Sequence, residues 1–130
     1  MIALFVDSKT KTIETIDMTD TNQKNGIEAA LNGEYEKDCI LENQDMVLVG
    51  EDGLIRFEDF FCLNDGTDEQ PYGGCGLIVG PKNDAGDFTD CLISVEEIEN
   101  QIQFLNRAQV IGWLNDRRHY DRTNGFARFI

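Results

Sequence analysis

The chain reads as an α+β domain: a curled, mainly antiparallel sheet packed by two helices, with a basic C-terminal tail. Apolar runs of strand length alternate with turns rich in Gly, Asn and Asp. Two other stretches place apolar residues at helical spacing behind a capping signal. With 130 residues and 41% hydrophobic content, one domain has enough chain to bury a core.

The first two strands are "IALFV" and "TIETID", joined by the polar turn "DSKTK" into a hairpin. "DTNQKNGIEAALNG" reads as a short helix. Asp20 caps it with Gln23 three residues on, Ile27, Ala30 and Leu31 form its apolar face, and Gly33 closes it. Gly26 weakens its middle. "YEKDCIL" and "DMVLVG" follow as strands around the turn "ENQ". The alternation in "LIRFEDFFCL" is interrupted near Glu58 and Asp59, which suggests a bulge or bend. The strongest helical pattern is "SVEEIENQIQFLN": Ser94 and Glu97 make a capping box, and Val95, Ile98, Ile102 and Leu105 share one face. "AQVIGW", including Val110 to Trp113, is compatible with a strand or with a continuing helix.

"PYGGCGLIVGPKNDAG" has the glycines and the lysine of a phosphate-binding loop but not its arrangement. Five residues separate Gly74 from Gly80, Pro81 removes an amide where one is needed, and Asp84 and Asp87 follow Lys82. The glycines also precede the apolar run, whereas a dinucleotide fingerprint places them after a strand. The expected structure is a buried strand, "CGLIV", held between turns.

Charge is the strongest compositional signal. The net charge is −14. From Arg107 onward five arginines face Asp116 and Asp121, a balance of +3, so residues 1–106 carry −17. The domain reading follows this division: an acidic α+β domain over 1–106 and a basic extension over 107–130. Such a body repels nucleic acid and anionic membranes and attracts basic surfaces; solubility alone is the plainer reading of the same charge. No apolar run is long enough to cross a bilayer, and Ile2 to Val6 is too short for a signal peptide, so a cytoplasmic protein is expected.

Catalytic and metal signatures are weak. Cys39, Cys62, Cys75 and Cys91 are widely spaced without a C-x-x-C pair, and His119 is the single histidine, so buried free thiols are expected rather than a zinc site. Asn83, Asp84, Asp87 and Asp90 lack the spacing of a calcium loop. Neither a cofactor nor a metal is expected, and any nucleophile–histidine pair would depend on a residue in the tail.

The order of elements resembles a family of small uncharacterised domains found on phages, plasmids and conjugative elements. The matching stretches are "LNGEYE", "VLVGEDGLI", "GLIVGPKNDAG" and "SVEEIENQI", within residues 1–105. The resemblance implies a mobile-element setting and supplies no catalytic residues.

These readings converge on a non-catalytic acidic binding protein. Its expected role is to inhibit a host nucleic-acid-binding or defence protein, such as a nuclease, by imitating the charge of nucleic acid. Asp84, Asp87, Asp90, Glu96, Glu97 and Glu99 are the candidate partner-binding residues. Arg117, Arg118, Tyr120, Arg122 and Phe126 are candidates for an interaction made by the tail, onto its own body or a second copy. The alternatives are a small-ligand or metal-binding protein or minor enzyme using a pocket by loop 64–74, and an oligomeric structural protein.

Overall fold

A computed structural model of the chain describes residues 1–18, 22–41, 43–50, 58–63 and 71–112. The elements are β1 (Ile2–Asp7), β2 (Thr12–Asp17), α1 (Gln23–Leu31), β3 (Tyr35–Ile40), β4 (Met46–Gly50), β5 (Asp59–Leu63), β6 (Tyr72–Gly73), β7 (Cys75–Val79), α2 (Val95–Glu99) and β8 (Ile102–Asn106). The α+β class holds, but the strands form two sheets rather than one curled sheet. Five strands run in the order β2-β1-β7-β4-β3, and three in the order β6-β5-β8. Every pairing is antiparallel.

The division into two sheets occurs inside the glycine run. β6 belongs to the small sheet and β7 to the large one, and the residue between them is Gly74, at φ 76°. A side chain is disfavoured in that left-handed conformation, so glycine lets the chain turn the corner. The Gly74 amide donates to the Asp59 carbonyl of β5, and the Gly74 carbonyl accepts from the Ser8 amide and hydroxyl. The corner is thus tied to both sheets. As expected, "CGLIV" is a strand between turns; it is the central strand of the large sheet.

Strand periodicity explains the layers. One face of the large sheet presents Leu4, Val6, Val47, Val49 and Ile78 to Phe61, Leu63 and Tyr72 of the small sheet and to Ile98 of α2. The other presents Ala3, Met46, Leu48, Leu77 and Val79 to Ile27 and Leu31 of α1 and to Phe88. The molecule therefore stacks α1, the large sheet and the small sheet with α2. β7 is covered on both sides, which is why its sequence is a continuous apolar run rather than an alternation.

Both opening strands and the β3–β4 hairpin form as expected. The helix α1 forms too, but Asn22 caps it, its side chain accepting from the Asn25 amide; Asp20 lies outside the described residues. It ends at Asn32, φ 60°, and Gly33, whose amide returns to the Glu28 carbonyl. The second helix is much shorter than its pattern suggests. Its capping box is present, with Ser94 Oγ accepting from the Glu97 amide at 3.1 Å, but it stops at Glu99. Residues 102–106 instead pair with β5, from Leu63 opposite Ile102 to Asp59 opposite Asn106. Ile102 and Phe104 satisfy a two-residue period as well as a helical one, and the free edge of β5 offers hydrogen bonds that a one-turn helix cannot replace.

Residues 107–112 are helical, which settles the first part of "AQVIGW"; Trp113 lies outside the described residues. Asn106 and Gln109 cap this helix reciprocally, each side-chain oxygen accepting the other's backbone amide at 2.9 and 2.8 Å. Val110 is buried, and Arg107 lies over the Phe60 ring and pairs with Glu58 at 3.3 Å. The first six residues of the basic extension therefore belong to the folded body. Residues 54–57 of "LIRFEDFFCL" lie outside the described residues.

The two sheets approach closely at Gly76, where a β-carbon would overlap Cζ of Phe61. Phe61 is almost fully buried, with its ring 5.3 Å from that of Tyr72. Gly76→Ala should destabilise the protein by about 1–3 kcal/mol through overpacking. Urea unfolding would show this as a lower midpoint at an unchanged slope.

Candidate functional site

The six predicted partner-binding carboxylates do not share one surface. Asp84 and Asp87 lie on a tight turn between the bridged residues Lys82 and Phe88, on the α1 side of the large sheet. Glu96, Glu97 and Glu99 lie on α2, which packs on the opposite face and against the edge strand β2. Asp90 sits between these groups, accepting the Ile2 amide at 2.7 Å. Glu97 is occupied by its capping box, so these two carboxylates have structural work. Asp84, Asp87, Glu96 and Glu99 are exposed and have no cationic partner among the described residues. Arg117, Arg118, Tyr120, Arg122 and Phe126 lie outside the described residues.

The turn carrying Asp84 and Asp87 is built by Asn83. Its side-chain oxygen accepts the Ala85 and Asp87 amides, while its own amide donates to the Asp87 carbonyl. Gln23 fixes this turn to α1: its side chain accepts the Phe88 amide and donates to the Phe88 carbonyl, both at 2.8 Å. The side-chain oxygen and backbone groups of Asn83 are thus committed to backbone. No cluster of three or more metal-ligating side chains occurs among the described residues.

Between this turn and the β3–β4 hairpin lies a half-open groove of about 480 Å³. Its floor is Met46, Leu48 and Phe88, with Tyr35 half-buried against them. Glu36, Ile40, Gln44, Pro81 and Lys82 form the rim, and the Lys82 ammonium sits 5.0 Å from the centre of the Phe88 ring. Ile40 is 51% exposed, and Gln44 holds a left-handed backbone at φ 77°. The size is that of a small-molecule or side-chain pocket. Residues 64–70 of the stretch where a pocket was expected lie outside the described residues.

The feature that sequence reasoning missed altogether is Asp45. It is fully buried, a rare state for a carboxylate. Its oxygens accept the Leu92 amide at 3.0 and 2.9 Å, the Ile93 amide at 2.8 Å and the Asn43 side-chain amide at 3.1 Å. Three converging N–H groups supply what a buried charge requires. This latch joins the β3–β4 turn to the segment before α2, and it holds Leu92 at 68% exposure. The signal was the Asn43-x-Asp45 spacing, which an exposed turn would share.

The Cys75 and Cys91 thiols are poor nucleophiles. Cys62 is buried as expected, whereas Cys75 and Cys91 are only half-buried. Burial, reinforced by the charge and hydrogen bond of Asp7 across the β1–β7 pairing, pushes the Cys75 thiol up to about 11. Burial and then Asp45 and Asp90 raise Cys91 as well. Both shifts oppose the thiolate that covalent catalysis needs. Among the described residues no helix is long and apolar enough to cross a membrane. Compared with known proteins, the chain matches no family model, no curated protein and no solved structure.

Removing the Asp45 carboxylate by Asp45→Ala strands the Leu92 and Ile93 amides and should cost about 3 kcal/mol in chemical denaturation, with Asp45→Asn, which keeps one acceptor oxygen, costing less. For Cys75, alkylation by iodoacetamide should rise with pH up to about 11. At pH 8 its rate should lie roughly a thousandfold below the plateau, and a rate already saturated there would contradict the burial argument.

Proposed function

We propose that this protein is a non-catalytic binding domain whose acidic body docks on a basic, nucleic-acid-binding surface of another protein. The observation that carries the proposal is the −17 balance of residues 1–106, together with exposed carboxylates on both sides of the large sheet that meet no cationic partner among the described residues. Glu96 and Glu99 project from a helix fixed by its capping box, and Asp84 and Asp87 from a turn fixed by Asn83 and Gln23. Charges held on ordered backbone present a defined array to a partner, whereas charges on a random chain do not. The resemblance to domains of phages and plasmids makes a host defence or nucleic-acid-handling protein the natural partner, held in the cytoplasm of the host cell and kept from its nucleic acid by competition. Placement of these acids on both faces favours steering of the whole body over recognition by a single carboxylate row.

A partner captured on the immobilised protein from a bacterial lysate and eluted by graded salt supplies the test. Its dissociation constant, remeasured with purified components, should rise at least about tenfold between low and half-molar salt, mostly through a slower association rate. Nucleic acid bound by the partner should be displaced. An affinity indifferent to salt, or simultaneous binding of nucleic acid and this protein, would overturn the proposal.

A further inference from the structure

The groove between β3 and the 81–88 turn has a chemistry that net charge alone does not explain. Its floor is apolar and its rim carries an exposed isoleucine and Glu36 of β3, while Asp84 and Asp87 lie on the turn whose bridged ends, Lys82 and Phe88, line the groove. The cation at the rim, Lys82, lies over the Phe88 ring, so part of its field is directed into the protein. A small anionic ligand would meet one lysine against three carboxylates. A cationic segment carrying an apolar side chain meets the opposite: an apolar floor for the side chain and acids for its neighbours.

We infer that this groove is the docking site for a basic segment of a partner protein, which seats one aliphatic or aromatic side chain on Met46, Leu48 and Phe88 and sets flanking arginines or lysines against Glu36, Asp84 and Asp87. The inference rests on the proposed function and assigns the position of the contact within it. Both walls are tied to the rest of the fold by hydrogen bonds. Gln23 pins the turn to α1, and the Asp45 latch fixes the end of the β3–β4 hairpin where Ile40 and Gln44 lie. A pre-formed groove loses little ordering entropy on binding, so the anchor's burial appears as affinity. Burying one leucine side chain corresponds to roughly a ten- to hundredfold gain in affinity. The Coulombic part is shared by every carboxylate of the body and is screened by salt, whereas the anchor's part is local and is not.

The probe is a pair of fluorescein-labelled heptapeptides: four arginines alternating with alanine, and the same peptide with leucine at the central position. Binding is read by fluorescence anisotropy on the full chain at about 50 mM and about 300 mM salt. The leucine peptide should bind at least about tenfold tighter at both salt concentrations. Ile40→Ser, a change at the exposed rim, should lower the ratio of the two affinities, since the rim covers part of the seated leucine. The double variant Asp84→Lys and Asp87→Lys should weaken both peptides alike. Glu96→Lys with Glu99→Lys, on the far face, should leave the ratio unchanged. Equal, salt-sensitive binding of both peptides would overturn the groove and leave the charge-based function standing; absence of binding by either peptide and by the captured partner would overturn both. A change in sedimentation of the free protein caused by Ile40→Ser would identify a second copy as the occupant and would also overturn the inference.

Discussion

The seat of Phe61 on Gly76 is the contact on which the arrangement depends. Gly76 lies in the central strand, with neighbours hydrogen-bonded on both sides, so its backbone cannot retreat. Phe61 lies in the central strand of the small sheet and is equally confined. The distance between the layers is therefore set where a ring meets a bare α-carbon. Gly74, two residues earlier, lets the chain leave one sheet and enter the other. The glycines that first suggest a phosphate loop are thus explained by packing: one turns a corner and the other makes room for a ring.

Much of this was legible in the residues, because local chemistry and tertiary need agreed. The hairpins, α1 and the apolar central strand carried their own turn residues and periodicity. Where the reading went astray, a pattern satisfied two structures at once. Val95, Ile98, Ile102 and Leu105 fit a helix, but Ile102 and Phe104 also fit a strand, and only the presence of the β5 edge decides between them. The helix at 107–112 had a capping signal in Asn106 and Gln109, overlooked because its amide partner replaces the usual acid. Asp45 was illegible for a different reason. Nothing local distinguishes a turn aspartate in solvent from one receiving amides 47 and 48 residues away.

The carboxylates fall into two groups once placed. Asp45, Asp90 and Glu97 satisfy backbone donors, while Asp84, Asp87, Glu96 and Glu99 are exposed and meet no cation among the described residues. Composition counts these groups together, although their surroundings differ. The field of a body this acidic reaches further than any one contact, so under the proposed function selectivity comes from shape. The groove is a place among the described residues where shape, an apolar floor and acidic neighbours coincide.

Among the described residues the large sheet ends in β2 on one side and β3 on the other, and these are its rims. At low salt, mutual repulsion keeps such rims of different copies apart. In concentrated salt that protection disappears, and open strand edges invite strand-by-strand polymerisation. β3 carries its own safeguard, since the register slips between Lys37 and Cys39 and an incoming strand would fall out of step there. The irregularity that spoils β3 as a template thereby opposes such growth under the very conditions that silence the body's charge.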